Sequence, residues 1–214
     1  IEIMILGIDC SNGLSLVFFD KKKIYYNYHN YKISNTSEIL ITKIENSLKK
    51  IKINYNDFSK IIIINGPGSF TGIRCSITFA KMMRISLSIP IYGYTKFELA
   101  NFFLKPKLQN KDIKKRIFLH YQGEKFFHSS YRMNKCISKP EIFNLDQCNL
   151  NNYKNDLLIS DNKLFFDYLK NEKNTRNPEM MSIFKYKLEN IIDLNKQYFQ
   201  KKYIPQPIYV KNLF

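Results

Sequence analysis

The chain has 214 residues and a mass of 25.5 kDa, with 44% hydrophobic, 15% aromatic and 24% charged residues. This is enough for one large domain or two small ones, and it excludes a disordered tail, a collagen and a coiled-coil rod. The longest aliphatic run, Ile61 to Ile64, is strand-sized and far short of the roughly eighteen residues of a membrane span. The formal charge of +16, from 34 Lys+Arg against 18 Asp+Glu, fits either a nucleic-acid surface or AT-rich codon usage. Only Arg74, Arg84, Arg116, Arg132 and Arg176 are arginines, and phosphate and base readers lean on the arginine fork. The cluster Lys105, Lys107, Lys111, Lys114, Lys115 and Arg116 is a candidate RNA-backbone contact.

Met4 to Ile8 reads as a buried strand ending in Asp9, and Leu14 to Phe19 as a second strand after the turn Cys10 to Gly13. Met4 is a candidate start, with Ile1 to Ile3 as an upstream extension. The stretch has no basic leader, so a signal peptide is not expected. Lys21 to Lys23 turn into a third strand, Ile24 to Tyr31, which completes an antiparallel meander. Asn35 and Glu38 have the spacing of a helix start, and Leu40, Ile44, Leu48 and Ile51 follow at helical spacing. Lys60 to Asn65 is apolar along most of its length and predicts a strand covered on both faces. A glycine-rich turn leads into a helix over about 71–87. A strand over 90–93 and a helix over 96–103 follow.

Lys105 to Lys115 is polar and contains Pro106, so it is taken as the boundary between an N-terminal lobe, 1–104, and a C-terminal lobe, 105–214. Beyond it, Arg116 to Tyr121 and Lys125 to Arg132 read as a hairpin, and Asp156 to Ser160 as a strand. Helices are expected over 162–171 and 178–197, the latter with Pro at its start. Pro205 to Lys211 is an extended tail. The segment from about 198 to 214 is a candidate for returning to the first lobe.

The turn Gly66-Pro67-Gly68-Ser69-Phe70-Thr71-Gly72 sits where a phosphate-binding loop would. It fails the Walker A spacing, because Gly72 is followed by Ile73-Arg74, and it misses the dinucleotide fingerprint by one residue. The other reading is a tight turn that lets the helix pack closely, with Ser69 as N-cap. In the helix that follows, Ile73, Ile77, Ala80, Met83 and Leu87 form one stripe, and Cys75, Phe79, Met82 and Ser86 form a nearly opposite one. Two stripes fit either a helix sandwiched inside the subunit or one that also meets a partner.

His29, His120 and His128 lack metal-ligand spacing, and no H-E-x-x-H or G-x-S-x-G occurs. His120 and His128 flank the predicted hairpin, where they either face each other or, the favoured reading, are ordinary surface residues. Cys10, Cys75, Cys136 and Cys148 form no C-x-x-C pair and read as reduced thiols. Asp9 and Ser11, after the first strand, are weak candidates for a metal–phosphate contact.

Three stretches carry a resemblance: Ile5-Leu-Gly-Ile-Asp9-Cys-Ser11, the loop Gly66 to Gly72 with Ile73-Arg74, and Ile89-Pro-Ile-Tyr-Gly93. They resemble the TsaB family of glycoprotease-like proteins, accessory subunits in tRNA threonylcarbamoyladenosine biosynthesis. Ser37-Glu38 and Gly123-Glu124 also align with that family. The resemblance implies an α/β, two-lobed actin-like ATPase (ribonuclease H-like) fold, each lobe a mixed sheet flanked by helices. It implies a cytoplasmic, non-catalytic subunit that pairs with the catalytic relative TsaD and is joined by the ATPase TsaE. It would meet tRNA through that complex, with no cofactor of its own and with ATP and a metal ion in the partner subunits. A homodimer in the absence of TsaD remains open. By this resemblance, Ile44 and Leu48 of the first helix and Phe79 and Met82 of the second form the partner interface. Arg74 lies near that interface or an anion. Thr36, His120-Tyr121-Gln122 and Ser160-Asp161-Asn162 depart from the family pattern, and the loss of glycine at the last turn weighs against autonomous nucleotide binding. The alternatives are a small actin-like ATPase or kinase using Asp9 and the glycine loop, and an RNA-binding module using Lys105 to Arg116.

Overall fold

Strands β1 (Met4–Asp9) and β4 (Phe58–Ile64) are buried along nearly their whole length because both faces of their sheet are covered. The computed structural model describes residues 4–104, 112–147, 153, 155–171, 181–194, 205–208 and 210. The chain divides into two units, 1–96 with 187–209, and 97–186 with 210–214. The polar stretch after Leu104 is therefore not where the division falls: the first unit ends at Lys96, whose N–H donates to the Gly66 carbonyl at 2.8 Å.

In the first unit, β2 (Leu14–Phe19) and β3 (Ile24–Asn30) run antiparallel beside β1, while β4 and β5 (Ile91–Tyr94) run parallel to it, in the order β3-β2-β1-β4-β5. Leu6, Ile8, Leu14, Leu16, Phe18, Ile61 and Ile63 point to one face. There they meet Leu40, Ile44 and Leu48 of α1 (Thr36–Ile51) and Ile73, Ile77, Ala80 and Met83 of α2 (Phe70–Leu87). The other face is covered by a 3-10 turn, Leu188–Asn190, and α5 (Ile191–Leu194). Fully burying Ile61 and Ile63, the two β4 isoleucines on the helix-covered face, supplies at most roughly 3–6 kcal/mol, against about 1 kcal/mol for a helix cap. Sheet coverage, not capping, therefore holds α2 in place. At 205–208 the chain lies against this unit: Asn65 donates from Nδ2 to the Gln206 carbonyl at 2.9 Å, and Ile208 N–H donates to the Asn65 carbonyl at 3.0 Å.

After α3 (Lys96–Phe102), the second unit has a sheet in the order β11-β10-β6-β7-β8, with β9 also paired to β7. Its strands are β6 (Lys114–Gln122), β7 (Lys125–Arg132), β8 (Lys135–Cys136), β9 (Glu141–Asn144), β10 (Leu157–Ser160) and β11 (Met181–Ile183). The hairpin β6–β7 and the strand β10 follow the sequence. Of the helix expected over 178–197, only Ile191–Leu194, preceded by the 3-10 turn Leu188–Asn190, is helical among the described residues. Met181–Ile183 instead pairs parallel with β10, and Phe184 N–H donates to the Ser160 carbonyl at 2.7 Å. An apolar Met-Ser-Ile-Phe run gains more from an open sheet edge than from a helix. The core joins Phe118, Phe126 and Leu158 to Phe165, Phe166 and Leu169 of α4 (Lys163–Asn171).

Two expectations change here. His128 is not at the surface: it is 2% exposed, stacks on Phe118 at 4.6 Å, and its Nδ1 lies 2.9 Å from Glu141 Oε1. Nor do His120 and His128 face one another, because their cross-strand partners are Phe126 and Phe118. In the basic cluster, Lys115 is fully buried with Nζ 3.3 Å from the Met133 carbonyl, and Arg116 is paired with Asp156 beneath the Tyr153 ring. Neither is free to meet an RNA backbone, and Lys105, Lys107 and Lys111 lie outside the described residues.

Burial pushes the His128 imidazole below its ordinary value, with Glu141 opposing and Arg116 and Lys114 assisting. The unfolded chain then takes up this proton first as pH falls. The contribution is complete above about pH 6.5, the unfolded value, and is lost as pH falls through the lower folded value. Urea midpoints measured between about pH 7 and pH 5 will fall more steeply for the native chain than for His128→Asn. Equal slopes would show that His128 contributes no pH dependence.

Candidate partner-docking face

The glycine loop is packed and not open. Ser69 caps α2, its hydroxyl accepting from Gly72 N–H at 3.2 Å. The Ser69 N–H donates to the Ser11 carbonyl at 2.8 Å, which ties the loop to the β1–β2 turn. A Cβ on Gly68 would lie 2.2 Å from that carbonyl oxygen, and one on Gly72 would lie 2.0 Å from the Cys10 carbonyl oxygen. The glycines admit the turn's backbone, which a Cβ at either position would meet. Gly66 and Pro67 are joined by a cis peptide bond at the entry.

Asp9 and Ser11 are buried and engaged with each other: Asp9 Oδ1 accepts from the Ser11 N–H at 2.8 Å and from its hydroxyl at 2.5 Å. Burial, with Asp9 adding to it, pushes the Cys10 thiol well up. Among the described residues, no group of three or more His, Cys, Asp or Glu is placed to hold a metal ion, and no helix is long and apolar enough to cross a membrane.

Between α1 and α2 runs a groove of about 380 Å³ lined by Ser37, Leu40, Ile41, Phe70, Thr71, Arg74, Cys75, Thr78, Phe79 and Met82. Of the expected interface residues, Ile44, Leu48 and Phe79 are in the core of the subunit, at 0%, 4% and 4% exposure. Ile44 and Leu48 cannot form a contact surface without unpacking α1 from the sheet, and Phe79 borders the groove with little exposed area. Phe79 belongs with the buried side of α2 while Met82 does not, so the second stripe read from the sequence is split between the core and the surface. Met82 is 47% exposed and is joined by Ile41, Phe70 and Ile85 at 48%, 54% and 83%. The spacing already marks two of these three: from Phe70, steps of four and three reach Arg74, Thr78, Met82 and Ile85, one stripe at helical spacing, whereas Ile41 lies on α1.

Among curated proteins, the TsaB protein of Buchnera aphidicola subsp. Schizaphis graminum is 37% identical over 117 residues, 54% of this chain and 53% of that protein. The TsaB protein of Bacillus subtilis is 34% identical over 95 residues, 44% and 42% respectively. Over this stretch the chain is similar to the TsaB proteins. The match spans about half the length of these curated relatives. Residues 32–110 also match the family model described as TsaD, tRNA N6-adenosine threonylcarbamoyltransferase.

Two solved Pseudomonas aeruginosa structures extend the likeness to the whole fold. YeaZ has a TM-score of 0.64 at 11% identity, covering 97% of this chain and 100% of that one. A protein described as similar to peptidase YEAZ has a TM-score of 0.66 at 12% identity, covering 98% and 100%. Two mixed sheets flanked by helices, the first in the order β3-β2-β1-β4-β5, make up the architecture that this chain shares with those structures.

Proposed function

We propose that this chain is an accessory subunit in tRNA threonylcarbamoyladenosine biosynthesis, which docks a TsaD subunit through the α1–α2 face and performs no transfer chemistry itself. The observation that carries the reading is the stripe Phe70, Met82 and Ile85 with Ile41 opposite. Together they leave an apolar surface uncovered on one face of the unit, and such contiguous patches mark interaction sites. The packed glycine loop supports it, since its glycines serve the β1–β2 turn. The kinship with TsaB proteins supplies the pathway. In this reading TsaE joins as a third component and tRNA is met by the assembled complex in the cytoplasm. ATP and a metal ion belong to the partner subunits.

Ile41→Asp/Met82→Asp, placed on two exposed side chains, will reduce capture of the TsaD encoded by the same genome by at least about tenfold and leave the unfolding midpoint within error. Undiminished capture would remove this face from the interface. Phe79→Asp is not a fair test, because Phe79 is a core residue and its loss disturbs the fold.

A further inference from the structure

Resting on that docking reading, we propose that the partner's docking surface carries a carboxylate set against Arg74, and that this ion pair selects the partner. Arg74 lines the α1–α2 groove and is the charged residue among its lining side chains. Its guanidinium lies over the exposed Phe70 ring, 5.1 Å from the centroid. Among the described residues no carboxylate forms an ion pair with it. Glu38, in the first turn of α1, is held by Asn35 Nδ2 at 3.0 Å and does not line the groove.

Covering the groove with an apolar helix would take this guanidinium out of water. An unpaired buried charge costs more than the surrounding apolar contacts return. A surface that covers Ile41, Phe70 and Met82 without answering Arg74 is therefore rejected. One that presents a carboxylate gains two parallel charge-assisted hydrogen bonds, because the guanidinium fork matches a carboxylate edge. Phe70 serves as the platform on which the fork rests. A second copy of this chain brings an α2 stripe of Phe70, Thr78 and Met82, which holds no carboxylate; of its α1 carboxylates, Glu38 is already held by Asn35, and neither it nor Glu45 lines the groove. The geometry thus favours a different protein whose docking helix is apolar with one acidic residue.

The test measures binding of the full chain to the same genome's TsaD across a salt series, for the native chain, Arg74→Met, Arg74→Lys and Met82→Asp. Arg74→Met keeps apolar bulk and removes charge. It will bind about thirtyfold more weakly and with a flatter salt dependence, and Arg74→Lys will fall between. Arg74→Met at native affinity, with Met82→Asp still disruptive, overturns the ion pair and leaves the docking face standing. Native affinity in both variants overturns the docking reading itself. Sedimentation of each variant alone closes the remaining route: if Arg74→Met abolishes self-association but spares TsaD binding, the carboxylate belongs to a second copy and the proposal fails.

Discussion

Gly72→Ala will cost about 3 kcal/mol or more of stability, the scale of overpacking against a surface that cannot yield. The added methyl would sit 2.0 Å from the Cys10 carbonyl oxygen, a backbone atom at the end of β1. Relief requires either backing α2 away from the sheet or moving the β1–β2 turn. The first exposes Ile73 and Ile77. The second breaks the Ser69-to-Ser11 hydrogen bond and the Asp9–Ser11 pair. Alanine's better helix propensity, worth about 1 kcal/mol over glycine, offsets only part of this. Thr71→Ala, one residue earlier and exposed, is the control and stays within about 0.5 kcal/mol. Urea midpoints read the difference, and equal midpoints for the two variants would show that the turn yields freely. A second readout follows, because the docking stripe begins at Phe70 on the same turn of helix. A shifted α2 start will weaken TsaD capture even where the variant remains folded.

That contact explains what the sequence could and could not disclose. The meander, α1, β4 and α2 are legible because their apolar residues recur at strand or helix spacing and their ends carry turn residues. Gly72 is visible as a motif residue, but its purpose is not, since Cys10 lies sixty-two positions away in the chain (72 − 10) and spacing holds no record of a contact across strands. The same limit applies to Ile44, Leu48 and Phe79. Periodicity marks them as apolar and cannot say whether the sheet or a partner receives them. Met181–Ile183 was misread because a short apolar run fits a strand or a helix equally, and the free edge of β10 decides. His128 reads as a surface residue because strand alternation does not hold along β7, where Phe126 to Tyr131 is buried throughout.

Phe118→Ala will destabilise the second unit by about 3–5 kcal/mol, the range for a fully buried phenylalanine. Its ring is the hub of this core, with Phe165 at 4.4 Å, His128 at 4.6 Å and Phe143 at 4.9 Å between centroids. Truncation leaves a void bordered by three rings on three different elements, so no single side chain can close it. One wall of that void is the His128 imidazole, whose Nε2 lies 3.4 Å from Ser130 Oγ, and a polar wall of this kind gives water a place to bind. Water there relieves the burial that lowers the His128 imidazole's proton affinity. The variant will therefore be less stable at neutral pH and also lose less further stability on acidification than the native chain. Phe118→Leu, which refills most of the volume, will cost less and keep the steeper acid dependence. Should Phe118→Ala show the full loss of stability with an unchanged pH slope, the void is dry, and burial by this ring is not what holds His128 neutral.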